Sequence, residues 1–596
     1  MTPREHIEVV SRVYREYIEV STDAKTYTII KIFKIVKKPV KITLIIFAVL
    51  IALVAAAFVT VDVWVSKLVH REVAATFDRI SNAEASVGDI QIFLFSGTAI
   101  VKDIYFETNS ISINDTTDKP CVPGMAAYIP SLTIGRVSYT ELFRKKHLWL
   151  YSITVDNPTL RLFIDEKDPT AILPEMPEDT TLEKAGLWLK RADIRHINVN
   201  NFHAEMQSTR TPLKLRFDSL TTACRDFAYD FSDSVFLYND SVYDIHFSSF
   251  TAELPDGISA VEIHDFETKD EGSLNAGRTR YWNTVSLKRL ADKAKEPVSW
   301  MDLELISFHT SAFNPLHKIL DKDYTLDSLA VNVKKMHVMR DERYAPKKPF
   351  PTPQEFLRSL PVQFEIKHAE AKVREIDIDY ASTNVNCGKM VLKNLRTTMA
   401  HVTNRPGAVW YSKAHAPMGK EGVFDAQFNM HLDKASTFDL ALHGQKIEAN
   451  YLNSFIRPLV GITCECFVDR LDAEYKGDKS IAKGDFCLQY HGLKVQVHQE
   501  DDIPYKIVTK HAKTFNQLAN TLIPKSNPTV VDIRPRSYTV EWKRDEWKPY
   551  PLYVFGPCIK GTVETMLPGV FVHKQSKYSH AFAPSRLQTH SHAIKK

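Results

Sequence analysis

Glycine is scarce in this chain, 20 of 596 residues, and with an aromatic content of 11% that scarcity excludes fibrous and disordered classes. Cysteine is thinly used as well. Cys121, Cys224, Cys387, Cys464, Cys466, Cys487 and Cys558 are odd in number and spread along the whole chain, so no disulfide framework is readable. Cys464 and Cys466 would share one strand face, but without a second pair or a nearby histidine they read as buried thiols rather than metal ligands. Net charge is nearly absent: 76 Lys and Arg against 72 Asp and Glu leave +4, too little and too dispersed for a nucleic-acid partner.

Also missing are the G-x-x-x-x-G-K-[ST] phosphate loop, the H-E-x-x-H zinc helix, the G-x-S-x-G nucleophile elbow and the G-x-G-x-x-G dinucleotide turn. No reaction is announced, no catalytic or metal-ligating residue is assigned, no cofactor is implied and no enzyme is expected. Asp377 and Asp379 have the spacing of paired carboxylates on one strand face. They read instead as the solvated side of a strand whose other side is Ile376 and Ile378. His590 and His592 read as part of a polar C-terminal tail.

What the chain does have is one long apolar run. Residues 42–61, ITLIIFAVLIALVAAAFVTV, carry no charge, and about 20 helical residues match a hydrocarbon core of roughly 30 Å. The run exceeds the apolar region of a cleaved signal peptide, which favours an uncleaved anchor over residues 42–65 with Trp64 at its interface. Lys31, Lys34, Lys37, Lys38 and Lys41 precede it closely, whereas Asp62, Lys67 and Arg71 follow. The positive-inside rule therefore predicts a cytoplasmic basic tail at 1–41 and export of everything beyond.

Past the anchor, apolar residues alternate with polar ones, as in Leu160-Arg161-Leu162-Phe163-Ile164, Leu213-Lys214-Leu215-Arg216-Phe217 and Phe438-Asp439-Leu440-Ala441-Leu442. Shorter runs occur at Ile197-Asn198-Val199 and Ile376-Asp377-Ile378. This is the period of strands with one buried face. Turn residues such as Asp256-Gly257, Arg405-Pro406-Gly407 and Lys476-Gly477-Asp478 separate them. Long helical crossovers are mostly missing, so an antiparallel sheet is expected. Helices are expected only at 62–79, 182–190, 353–360 and 511–523.

The chain also resembles itself. Leu150-Tyr151-Ser152-Ile153-Thr154-Val155-Asp156 aligns with Leu326-Asp327-Ser328-Leu329-Ala330-Val331-Asn332 about 176 positions later. Ile194-Arg195-His196 then answers Ile366-Lys367-His368, Leu220-Thr221-Thr222 answers Leu395-Arg396-Thr397, and a Pro-rich interruption follows the first element of each copy. A duplication predicts an elongated sheet built by adding like modules. The expected divisions are a linker helix and first strands at 66–129, β module one at 130–285, β module two at 300–420, a further β region at 421–500, and a C-terminal region with polar tail at 501–596.

Val87-Gly88-Asp89-Ile90 through Ser96-Gly97-Thr98-Ala99-Ile100-Val101-Lys102-Asp103-Ile104, directly after the anchor, resembles the opening of the AsmA-like family, the AsmA and TamB group. Ile129-Pro130-Ser131-Leu132-Thr133-Ile134, then Leu142 to Leu148 and Val155-Asp156-Asn157-Pro158, is similar to that family's order of elements. Gly422 to Val497, with Leu452-Asn453, Gly461 and Lys483-Gly484-Asp485-Phe486, resembles its C-terminal region. The motifs are short and cover most of residues 42–500. The resemblance implies a bacterial inner-membrane protein projecting a β-groove into the periplasm, which handles phospholipid between membranes or supports outer-membrane assembly. The cytoplasmic extension is longer than the family's.

The fold expected is therefore mainly β: an N-terminal transmembrane helix, then an elongated, repeated antiparallel β-sheet forming a groove, with few short helices. Candidate lipid-lining residues are Leu160, Leu162, Ile164, Val331, Val333, Ile376, Ile378, Leu440 and Leu442, against the plain alternative that each faces an ordinary core. Partners expected are membrane phospholipid, the inner membrane and an envelope protein at the distal end. The alternatives are a tethered structural or protein-binding β-scaffold without lipid, and, third, an anchored envelope hydrolase.

Overall fold

A computed structural model describes residues 61–73, 83–108, 123–165, 167, 190–230, 235–238, 243–269, 273–311, 324–381, 387–498, 516–517, 520–530 and 533–566. The basic tail, residues 42–60 of the expected span, most of the candidate helix at 182–190 and the tail histidines lie outside them. No helix among the described residues is long and apolar enough to cross a membrane. Residues 61–73 are helical and are called α1.

The β expectation is what the structure shows: among the described residues, twenty-two strands form one sheet. They are β1 (Ala83–Phe93), β2 (Thr98–Thr108), β3 (Gly124–Val137), β4 (His147–Asp156), β5 (Thr159–Ile164), β6 (Arg191–Ser208), β7 (Lys214–Asp230), β8 (Val235–Tyr238), β9 (Tyr243–Glu253), β10 (Ser259–Lys269) and β11 (Ser273–Ala276). The sheet continues through β12 (Thr279–Asn283), β13 (Val298–Thr310), β14 (Tyr324–Asp341), β15 (Phe364–Ala381), β16 (Cys387–Thr403), β17 (Val409–Met418), β18 (Gly422–His431), β19 (Phe438–Glu448), β20 (Ile462–Gly477), β21 (Ile481–Val497) and β22 (Ser537–Lys543). Their order across the sheet follows their order in the chain. Three rungs are each made of two collinear strands: β4 with β5, β8 with β9, and β11 with β12.

The antiparallel expectation holds for most neighbours and fails at two junctions: β4 and β5 run parallel to β6, and β14 runs parallel to β15. The missing helical crossovers misled, because an irregular loop of sufficient length returns the chain just as well. Residues 342–363 are such a loop. Their prolines, read from sequence as an interruption, frame only the short helix at Pro353–Arg358, begun by a capping box in which Thr352 and Glu355 exchange hydrogen bonds.

The internal repeat falls on these two junctions. Leu150 pairs with Ile194 and Ser152 with His196 in the first, and Leu326 pairs with Ile366 and Ser328 with His368 in the second. Residues matched in sequence thus hold matching register. The third match agrees: Ser219 and Asn394, each with left-handed backbone, immediately precede Leu220 and Leu395.

Where the sequence pattern weakens after residue 501, the chain completes a closed core. Strand β22 extends the sheet, and two helices, Tyr550–Val554 and Gly556–Met566, lie over its apolar face. Tyr550 and Tyr553 stand edge-on to Phe438 with ring centroids 6.3 and 5.8 Å away. Gly561 admits the close approach, since a β-carbon there would meet the Phe486 ring at 2.4 Å. Burial pushes the Cys487 and Cys558 thiols up to about 11 and that of Cys466 to about 12. The thiolate is the nucleophile, so all three should resist iodoacetamide at pH 8 in the native chain and alkylate only after denaturation, as peptide mass spectrometry would read.

Candidate functional site

Outside that core, the sheet carries one continuous apolar face. A single row of cross-strand neighbours runs Ala127, Leu160, Ala204, Phe217, Phe250, Ile263, Thr279, Leu305, Val333, Val373, Leu395. Parallel rows flank it, such as Leu303, Met336, Ile376, Leu392 and Met301, Val338, Ile378, Met390. Between residues 83 and 418, the only hydrophobic cluster of fully buried residues among those described is Ala126 with Phe163. The apolar rows there are not closed over as they are at the C-terminal end.

The opposite face is charged. Lys335 Nζ bridges Glu375 at 3.0 Å and Asp377 at 2.6 Å, His337 contacts Asp379 at 3.1 Å, Arg280 meets Asp302 at 2.8 Å and Lys334 meets Glu304 at 3.0 Å. Asp377 and Asp379 thus serve as cross-strand ion-pair partners on the solvated face.

A line of bulges bends the sheet between its two long margins. Asp103, Asn157, Asn201, Ser219, Asp265, Asn394 and Lys446 all have positive φ near 52–55°, and at each the apolar alternation slips by one residue. Such bulges kink a strand and tighten its twist. The partner strand must make room: a β-carbon on Gly88 would lie 2.9 Å from that of Asp103, and one on Gly277 would lie 3.2 Å from that of Asp265. Sequence reasoning missed this line, although its signal is plain in Val101-Lys102-Asp103-Ile104, Ile263-His264-Asp265-Phe266 and Leu392-Lys393-Asn394-Leu395. Two polar residues, the second usually Asp or Asn, separate two apolar ones. Asn and Asp tolerate the left-handed region best among residues with a β-carbon.

Of the nine candidate lining residues, Leu160, Leu162 and Ile164 of β5, Val331 of β14, and Ile376 and Ile378 of β15 lie half-buried on the apolar face. Val333 lies there too at 6% exposure. Leu440 and Leu442, each 4% exposed, belong to the core beneath the C-terminal helices. Alternation is the same in both settings, so periodicity alone could not separate them.

Helices guard the exposed sheet edges. Asp62, Ser66 and His70, one turn apart on α1, run along the free edge of β1: the Leu94 amide donates to Asp62 at 3.0 Å, the Ile92 amide to Ser66 at 2.7 Å, and His70 Nε2 lies 3.1 Å from the Gly88 carbonyl. This contact frames a cleft of about 570 Å³ between α1 and β1. Asn453 does the same for Cys464 of β20, accepting from its amide and donating to its carbonyl at 2.9 Å each. Asp62→Ala with Ser66→Ala should raise amide exchange at Leu94 and Ile92 by about tenfold or more, measured by hydrogen exchange, with the interior strands unaffected.

Comparison with protein-family models, with curated proteins and with solved structures finds no match to this chain.

Proposed function

We propose that this protein is a membrane-anchored, AsmA-like carrier whose open apolar face shields phospholipid acyl chains from water between two membranes of a bacterial envelope. The observation that carries this reading is the apolar face whose central row runs from Ala127 to Leu395, broken only at Thr279, and which no closed core covers among the described residues. Exposing an acyl chain of about 16 carbons costs roughly 0.8 kcal/mol per methylene, on the order of 12 kcal/mol. A half-shielding trough lowers that barrier without specific ligand contacts, which agrees with the missing catalytic motifs. Under this reading residues 1–41 are cytoplasmic, 42–65 span the inner membrane, and the sheet is periplasmic.

The test is native mass spectrometry with lipid extraction on the full chain purified from its membrane. Phospholipid in defined ratio supports the reading, and a lipid-free, stable chain sinks it. The second reading, a tethered scaffold, is favoured by the closed core under the two C-terminal helices, which has the dry packing of an ordinary domain.

A further inference from the structure

Three elements converge at one corner of the sheet. Helix α1 is tied to the tip of the β1–β2 hairpin through Asp62, which accepts from the Leu94 amide. That tip is tied to the end of β3, where the Val137 amide donates to the Gly97 carbonyl at 2.8 Å. Two residues on, the helix Tyr139–Lys145 begins, and burial together with the Asp62 charge raises the Tyr139 hydroxyl above its ordinary value.

The corner displays large aromatics to solvent. Phe95 is 88% exposed, Phe143 71% and Trp64 66%. Beside Phe143 stand three consecutive exposed cations, Arg144, Lys145 and Lys146. Monomeric proteins seldom gather such side chains in water without a partner, and aromatic rings with flanking cations are what a bilayer interface accepts. The uncharged run 42–61 ends at this spot, because its last residue, Val61, lies in α1 and directly precedes Asp62.

We infer that this corner docks on the surface of an anionic bilayer, with Phe95, Phe143 and Trp64 at the headgroup–acyl boundary and Arg144, Lys145 and Lys146 against lipid phosphates. The sheet then meets the membrane through its first rungs as well as through its tether, which fixes the angle at which the apolar face leaves the leaflet. The inference rests on residues 42–61 crossing that membrane and is independent of whether the trough carries lipid.

The test uses the full chain in vesicles of phosphatidylcholine and phosphatidylglycerol, with a genetically encoded fluorescent amino acid at position 95, 143 or, as a distant exposed control, 555. Nitroxide lipids labelled near the headgroup should quench positions 95 and 143 about threefold or more over 555, with iodide showing the reverse order. Joint Arg144→Glu, Lys145→Glu and Lys146→Glu should bring position 143 down toward the control. Hydrogen exchange over residues 139–146 in anionic nanodiscs against detergent reads the same contact in the unaltered chain, and protection there is expected. If the chain resists carbonate extraction yet position 143 is as open to iodide as 555, with residues 139–146 unprotected, the docking surface is refuted while the anchor stands. Extraction by carbonate would overturn both.

Discussion

Val331→Asp with Ile376→Asp should strip co-purifying phospholipid from the full chain by at least about tenfold while leaving it folded. Both side chains are half-buried on the apolar face of adjacent strands, so carboxylates there remain hydrated in the empty trough. An acyl chain laid over them removes that water, and an isolated charge against hydrocarbon costs several kcal/mol, where each 1.4 kcal/mol is tenfold in occupancy. Lys372→Asp, on the charged face of the same strand, is the matched control and should keep its lipid. Lipid retained by the folded double variant would exclude the trough and leave the scaffold reading.

The second large effect concerns the C-terminal core. Phe486 is fully buried between the sheet and the helix Gly556–Met566, so Phe486→Ala should cost about 3–5 kcal/mol. Gly561→Leu attacks the same contact from the other side by forcing the helix off the Phe486 ring. Because strands contact chiefly their neighbours in the sheet, the loss should be regional. Hydrogen exchange should rise across β18 to β22 and the two helices while β1 to β15 keep their protection. A uniform loss over all strands would instead mean that the sheet unfolds as one cooperative unit.

Much of this fold was legible because its dominant signal is local. Alternation at Leu160 to Ile164 and Phe438 to Leu442 follows from side chains facing opposite sides of a strand, which needs no knowledge of neighbours. The internal repeat was legible because the matched residues serve the same register at β4–β6 and β14–β15. The two parallel junctions were not, since strand direction there depends on where a loop returns the chain. Nor was the fate of Leu440 and Leu442, because coverage is decided by Tyr550 and Tyr553 more than a hundred residues away. The short helices Tyr139–Lys145 and Asn453–Val460 escaped because they are too brief for a helical period to register.

The match between chain order and sheet order makes this molecule a ruler. The nineteen rungs among the described residues, counting each collinear pair once, give roughly 85 Å along the sheet at about 4.8 Å per rung. A hairpin inserted or removed at any turn changes that reach by two rungs without rewiring another contact. The parallel junctions β4–β6 and β14–β15 repeat one register, so adding a whole like module would also lengthen the sheet with its bulge line kept in register.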